Sequence, residues 1–308
     1  ERLWFKVEAT DASAGDQGPL RVTVPSFRAT GDVSIAMDLV EEVGRVYGYD
    51  NIEAVAPHIP VQPVEVSPMH RLQRRIRDVL SRDLAFYEVY NYAFVGDQLL
   101  AAVGLAPADH IALANPLASD QNRLRTSLIP NLLKITGENL RFQKNFQCYE
   151  LERTFAGVAQ GPFDHDRFAL AGIMTQKEWS KQSEQCFYAL KGAVEDLFAQ
   201  LPFADRLRFR PAAVVPSWGH PGRTAQLFLG EQAVGTVGQV HPQVTENLGI
   251  KAVVGFFDID VDALLACQSA EASFEKVQRY PTVPFDISMI CEAKTLIADV
   301  EDTIWSVD

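Results

Sequence analysis

Near the start of the chain Leu3, Phe5 and Val7 alternate with polar neighbours, as do Leu20, Val22 and Val24 beyond a Gly-rich turn at Asp16 to Gly18. That period of two predicts a pair of short strands. After Pro25 the period lengthens. Ile35, Leu39, Val43 and Val46 recur at helical spacing, with Asp32 and Ser34 as candidate N-caps and Gly48 as the stop. Pro57, Pro60, Pro63 and Pro68 then punctuate an aperiodic stretch, which reads as an extended linker because residues before proline avoid the helical region.

Helical spacing resumes at Ser67-Pro68, with proline in the first turn and Leu72, Ile76, Val79, Leu80 and Leu84 as the buried stripe. Strand patterns follow at Glu88–Val95, Ile111–Ala114, Gln147–Leu151, Phe168–Met174 and Val253–Ile259, and helices at Leu128–Phe142 and Tyr188–Leu201. Gln226 to Val240 reads as a hairpin turning at Gly230-Glu231. Strands joined mostly by short turns, with helices interspersed, predict an α+β fold with an antiparallel sheet. From Phe274 the pattern restarts with a strand around Ile287, Met289 and Cys291 and a helix from Ile297 to Trp305. A lone strand and helix bury no core, so they predict the opening of a third domain. The expected divisions are 1–57, 58–270 and 271–308.

Composition narrows the function classes. Hydrophobic residues make up 47% and charged residues 22% of the 308 positions, an ordinary globular balance, and nowhere do eighteen apolar residues run together. Cys148, Cys186, Cys267 and Cys291 lie far apart, which gives neither a zinc site nor a disulfide framework and predicts a reducing cytosol. The net charge of −12, from 28 Lys+Arg against 40 Asp+Glu, disfavours a broad nucleic-acid face and leaves only local basic patches. Position 1 is Glu, without a basic start or apolar run behind it, and the last segment stops in mid-pattern. Both features predict a piece of a longer protein, with no secretory signal in view.

Candidate chemistry is sparse. Asp32, Asp38, Glu41 and Glu42 fall within eleven residues around one helix start, where the positive dipole end offsets part of their repulsion. Such oxygens suit a hard cation such as Mg²⁺. They also suit a solvated acidic face with Glu41 paired to Arg45, and acidic helix starts of that kind are common. Arg71, Arg74, Arg75, Arg77 and Arg82 lie on the helix after the linker, either as a grip on phosphates or as a solvated face diluted by Asp78 and Asp83. His220 and His241 each precede a proline, and His220-Pro-Gly-Arg223 reads as a loop or an anion-binding turn. No G-x-x-x-x-G-K-[ST], H-E-x-x-H or G-x-S-x-G occurs, and Gly235-x-x-Gly238 is too short for a dinucleotide loop. The chain offers no self-sufficient catalytic constellation. A stand-alone nucleic-acid module is opposed by the charge, and a metal-dependent hydrolase lacks a base or nucleophile.

Taken together, these residues resemble a known family. Val24-Pro-Ser-Phe-Arg28, Asp32, Asp38-Leu-Val-Glu41-Glu42-Val and Arg45-Val-Tyr-Gly-Tyr-Asp50 resemble the metal-associated helical domain of the bacterial-type phenylalanyl-tRNA synthetase β subunit. Further stretches are similar to that family in the same order. They are Glu88–Val95, Asn115-Pro-Leu-Ala-Ser119, Leu124-Arg-Thr-Ser-Leu-Ile-Pro130, Tyr149-Glu-Leu-Glu-Arg-Thr-Phe155, Leu190–Glu195, His220–Ala225 and Gly238-Gln-Val-His-Pro242. The resemblance implies a small helical, winged-helix-like metal-associated domain, then a class II synthetase-like antiparallel module without an active site, then the start of a ferredoxin-like anticodon-binding domain. It implies that Asp32, Asp38, Glu41 and Glu42 bind Mg²⁺ at a site shared with the catalytic α subunit. ATP would be used at that α subunit, and Arg153 and Arg223 lack the setting of class II nucleotide-binding arginines. The implied partners are the α subunit and phenylalanine tRNA in an α₂β₂ cytoplasmic heterotetramer, away from any membrane. The helix Leu72–Leu84 and the strand Glu88–Val95 would meet the α subunit. Two positions depart from the family pattern: Glu152 stands where glycine is common, and Pro284-Phe-Asp286 lacks the usual basic pair before its aspartate.

Overall fold

A computed structural model describes residues 3–10, 18–155, 166–176, 183–203, 206–267, 279–281, 283–292 and 294–306. Asp16 and Gln17 of the predicted turn, and Phe274 where the pattern restarts, lie outside the described residues. The chain divides into two units, Glu1–Val64 and Glu65–Asp308.

In the first unit, β1 (Lys6–Ala9) pairs antiparallel with β2 (Leu20–Thr23), with Val7 opposite Val22. The helix α1 spans Ala36–Tyr47. Its cap differs from the expected one. Neither Asp32 nor Ser34 caps it. Instead Asp38, in the first turn, reaches back so that one carboxylate oxygen accepts from the Ser34 and Ile35 amides at 2.7 and 2.8 Å. An acidic side chain there satisfies donors the helix leaves open. Phe5 and Val33 are buried, as is Glu42 on the helix. Most of the apolar stripe that predicted α1 is instead exposed: Ile35, Val43 and Val46 are each more than half accessible, and only Leu39 is half-buried.

The second unit opens with α2 (Pro68–Asp78), capped by Ser67, whose hydroxyl accepts from the His70 amide. A π-helical turn over Val79–Asp83 continues it, and Leu72, Ile76, Val79 and Leu80 are buried. The single strand expected over Glu88–Val95 is two. β3 (Tyr87–Glu88) joins the main sheet, whereas β4 (Phe94–Val95) pairs with β5 (Arg123–Leu124) in a separate ribbon. The expected strand at Ile111–Ala114 amounts to one bridge, Ala112 to Arg123. Short helix α3 (Asp97–Ala102) and helix α4 (Ile129–Asn139) follow.

Next come β6 (Phe146–Phe155), β7 (Asp166–Thr175) and α5 (Glu184–Ala199). Beyond them run β8 (Leu207–Pro211), β9 (Gly219–Leu229), β10 (Gln232–Val240) and α6 (Pro242–Asn247). The hairpin turns at Gly230 in the left-handed region (φ 60°), which suits a residue without Cβ. β11 (Val254–Asp260) and α7 (Val261–Ala266) complete the core, and α8 (Ile297–Trp305) follows. The seven-stranded order is β3-β6-β7-β11-β10-β9-β8, antiparallel throughout except for the parallel β3–β6 pair. The fold is α+β with a mostly antiparallel sheet. The His220–Arg223 stretch expected as a loop lies inside β9, because its amides and carbonyls lead into the ladder with β10.

Strand alternation places apolar side chains on both faces. On one, Tyr149, Leu151, Leu170, Val237 and Phe257 pack under α2, α5 and α7. On the other, Cys148, Ile173, Val254 and Phe256 pack under α4 with Leu132 and Leu133. Each such side chain contributes roughly 1.5–3 kcal/mol on full burial. Gly255 lets α5 lie close, since a Cβ there would meet Cys186 Sγ at 2.8 Å. No helix among the described residues is long and apolar enough to cross a membrane.

Candidate functional site

The four carboxylates predicted as cation ligands have distinct surroundings. Asp32 accepts from Arg28 Nε at 2.6 Å. Glu42 is gripped twice, by Arg28 (Nη1 at 2.9 Å, Nη2 at 3.0 Å) and by Arg45 Nη2 at 2.9 Å. The Arg28 guanidinium also lies 5.6 Å from the centre of the Phe5 ring, so it ties the residue before β1, the loop and the helix together. These hydrogen bonds, first from Arg28 and then from Arg45, pull the Glu42 carboxyl down to about 2. Arg28 likewise lowers Asp32, and backbone amides lower Asp38. Arg45 therefore pairs with Glu42, three residues back, and not with Glu41 as the solvated-face reading expected. Glu41 is exposed. Among the described residues no three His, Cys, Asp or Glu side chains converge as a metal group. Asp38 and Glu41 keep oxygens free of arginine, whereas Asp32 and Glu42 are held by guanidinium. Among the described residues the four carboxylates do not gather into one group.

The basic helix is similarly engaged. Arg71 donates to Val66 O, Arg75 to Gln200 O and Arg77 to Glu88, while Arg82 pairs with Asp78. Of the five arginines, only Arg74 is left to a solvated face. The stripe Leu72–Leu84 is enclosed within the unit, so α2 offers a partner its polar side. On the neighbouring segment Tyr87, Tyr90 and Tyr92 are 63%, 69% and 75% exposed.

Arginines on and beside the central sheet are also committed. Arg125 and Glu150, side chains 3% and 0% exposed, pair at 2.7 Å, with the Asn91 amide and side chain completing the carboxylate. Arg153 pairs with Asp166 at 3.0 Å and lies over Phe168. Arg223 donates to Ser183 Oγ and Gln239 Oε1, both at 2.7 Å. His220 and His241 approach with ring centres 6.0 Å apart, and each Nδ1 accepts a backbone amide two residues on. His241 is thereby the cap of α6. Burial first, and then Arg223 and His241, lower the His220 imidazole. Sequence reasoning missed Asp258 on β11. Desolvation pushes its carboxyl up to about 6 despite a 3.2 Å hydrogen bond from Ser127 Oγ. Its only sequence signal was an acid inside an apolar strand pattern.

Comparison with known proteins gives a consistent result. A family model described as the phenylalanyl tRNA synthetase beta chain CLM domain matches residues 52–261, and a tRNA synthetase B5 domain model matches residues 1–49. Phenylalanine–tRNA ligase beta subunits are among the relatives. That of Geobacter sulfurreducens is 30% identical over 308 residues, covering 97% of this chain and 38% of the relative. The Syntrophus aciditrophicus subunit is 33% identical over 291 residues (91% and 36%), and that of Bacillus subtilis 31% over 311 (99% and 37%). The chain thus spans little more than a third of the length of these curated relatives. A solved pyrrolysyl tRNA synthetase from Desulfitobacterium hafniense overlays with a TM-score of 0.49 at 16% identity, over 64% of this chain and 68% of that one. On the family-model match, the chain belongs to the phenylalanyl tRNA synthetase beta chain family.

Proposed function

We propose that the chain is the part of a phenylalanine–tRNA ligase β subunit that holds the catalytic α subunit and is catalytically silent by itself. The observation that carries this is the closure of the sheet. Helices cover apolar clusters on both faces of the central strands, and Arg125, Arg153 and Arg223 are each tied to protein partners. A nucleotide triphosphate needs free cations poised over an open face. In this reading ATP and phenylalanine are handled by the α subunit in a cytoplasmic α₂β₂ assembly that charges phenylalanine tRNA. Tyr87, Tyr90, Tyr92 and the polar side of α2 supply surface for that partner.

The first unit is the proposed winged-helix-like, metal-associated domain. Mg²⁺ would be held by Asp32, Asp38, Glu41 and Glu42 once the partner subunit adds ligands, since the guanidinium-bound pair does not close a site alone. A bound Mg²⁺ would supply positive charge between the subunits. The residues of this chain orient that contact, with Asp38 fixing the start of α1 and Arg28 anchoring Glu42. The test is phenylalanine-dependent pyrophosphate exchange with the purified chain, alone and mixed with the α subunit. Exchange only in the mixture is expected, and exchange by the chain alone would overturn the silent-module reading.

A further inference from the structure

At the far end of α4 a cleft of about 710 Å³ opens between the turn 140–144 and the segment 248–252. Its walls carry Lys134, Arg141, Lys144 and Lys251 against one carboxylate, Glu138. This is a local reversal of sign in a chain of net charge −12. All four cations are exposed, and among the described residues none has an ion-pair partner. That sets them apart from the arginines of α2, most of which are already paired or bonded. Phe142, between Arg141 and Gln143 in sequence, is 87% exposed and lies outside the cleft walls, on the turn that forms one of them, an aromatic ring that no core packing explains. Unpaired cations beside a solvent-facing ring are what a flexible polyanion with stackable bases requires: charge for phosphates and a flat face for a base. An acidic peptide would use the cations and leave the ring idle.

We propose that a single-stranded stretch of RNA runs through this cleft and over the turn at its edge, with Lys134, Arg141, Lys144 and Lys251 on its phosphates and Phe142, outside the walls, stacked on a base. The proposal deepens the functional reading by giving the RNA substrate a place on this chain, and it rests on that reading only for which RNA is bound. The cations also complement the carbonyl end of α4, a purely structural role that the test must separate.

The experiment is fluorescence anisotropy with the full 308-residue chain and a labelled single-stranded RNA of about twelve nucleotides, titrated at several salt concentrations. Arg141→Ala and Lys144→Ala should each weaken binding and reduce the slope of log affinity against log salt by about 0.7. Phe142→Ala should weaken binding roughly tenfold with the slope unchanged, and Phe142→Tyr should restore it. Unfolding midpoints of the variants should match the parent within about a degree, because all three side chains lie on the surface. Equal binding of a polyglutamate peptide and of RNA, indifferent to Phe142→Ala, would overturn the proposal in favour of an acidic protein segment. Lowered unfolding midpoints with unchanged RNA affinity would reduce the cations to a helix-end role. Capture of the α subunit without RNA binding at this cleft would sink the cleft and spare the scaffold reading. RNA binding here without α-subunit capture would do the reverse.

Discussion

Two glutamates in this molecule are gripped by arginine in very different ground. Glu42 sits on a helix of the small first unit, where Phe5 and Val33 are the buried apolar residues among those described, and most of the helix's apolar stripe faces outward. Glu150 lies on β6 of the second unit, completely enclosed, in a sheet that carries apolar clusters on both faces. The first unit relies on a surface-linked ion network, Arg28 with Asp32 and Glu42 and Arg45 with Glu42. The second relies on apolar burial, with its ion pair as a polar island that fixes Asn91 and the Arg125 loop. The comparison teaches that the same pairing chemistry has different consequences according to what surrounds it. A network whose Asp32 and Arg45 side chains stand about half open to water is partly screened, whereas a sealed pair becomes a large liability when one partner is removed.

Substitution can break this contrast in order of expected effect. Arg125→Ala strands a buried carboxylate and should cost about 3–5 kcal/mol in urea unfolding of the second unit. A cost below 1 kcal/mol would mean that water reaches Glu150. Leu132→Ala removes a fully buried side chain beneath the sheet and should cost about 2–5 kcal/mol in the same measurement. Val43→Ser, on the exposed stripe of α1, should change stability of the isolated chain by no more than about 0.5 kcal/mol. A larger loss would show that the stripe is covered in solution.

The two units should also respond oppositely to pH, an effect smaller than the core substitutions. Glu42 has its folded carboxyl lowered to about 2 from 4.5, so its stabilisation is present above the unfolded value and is lost as pH falls from about 4.5 toward 2. Asp258 has its carboxyl raised to about 6 from 3.8, so the folded state keeps its proton longer. Stability of the second unit should therefore decline as pH rises from about 4 through 6, and Asp258→Asn should remove that decline. Hydrogen exchange resolved by unit would check both signs. A decline unchanged in Asp258→Asn would assign it to another group.

The sequence carried much of the second unit, because its helices and long strands obey their periods over ten or more residues and the burial that enforces them lies within the chain. The hairpin at Gly230 and the start of α2 at Ser67-Pro68 were legible for the same local reason. Short pieces were not. β3 and β4 read as one strand, since nothing in Glu88–Val95 marks where the chain leaves the main sheet. β8 has no strong period, and α6 and α7 are too short to show one. In the first unit the helix was legible, but periodicity reports only that a face is apolar and not what covers it. The acidic cluster was visible as residue types within eleven positions. Its arginine partners were not, because Arg28 reaches Glu42 across fourteen residues of loop and helix.

The most direct test of the scaffold account is native mass spectrometry of the chain mixed with the catalytic α subunit, at protein concentrations near their cellular level and with Mg²⁺ present. The account predicts a complex with equal numbers of the two chains. Free chain beside free α subunit at every ratio would contradict it.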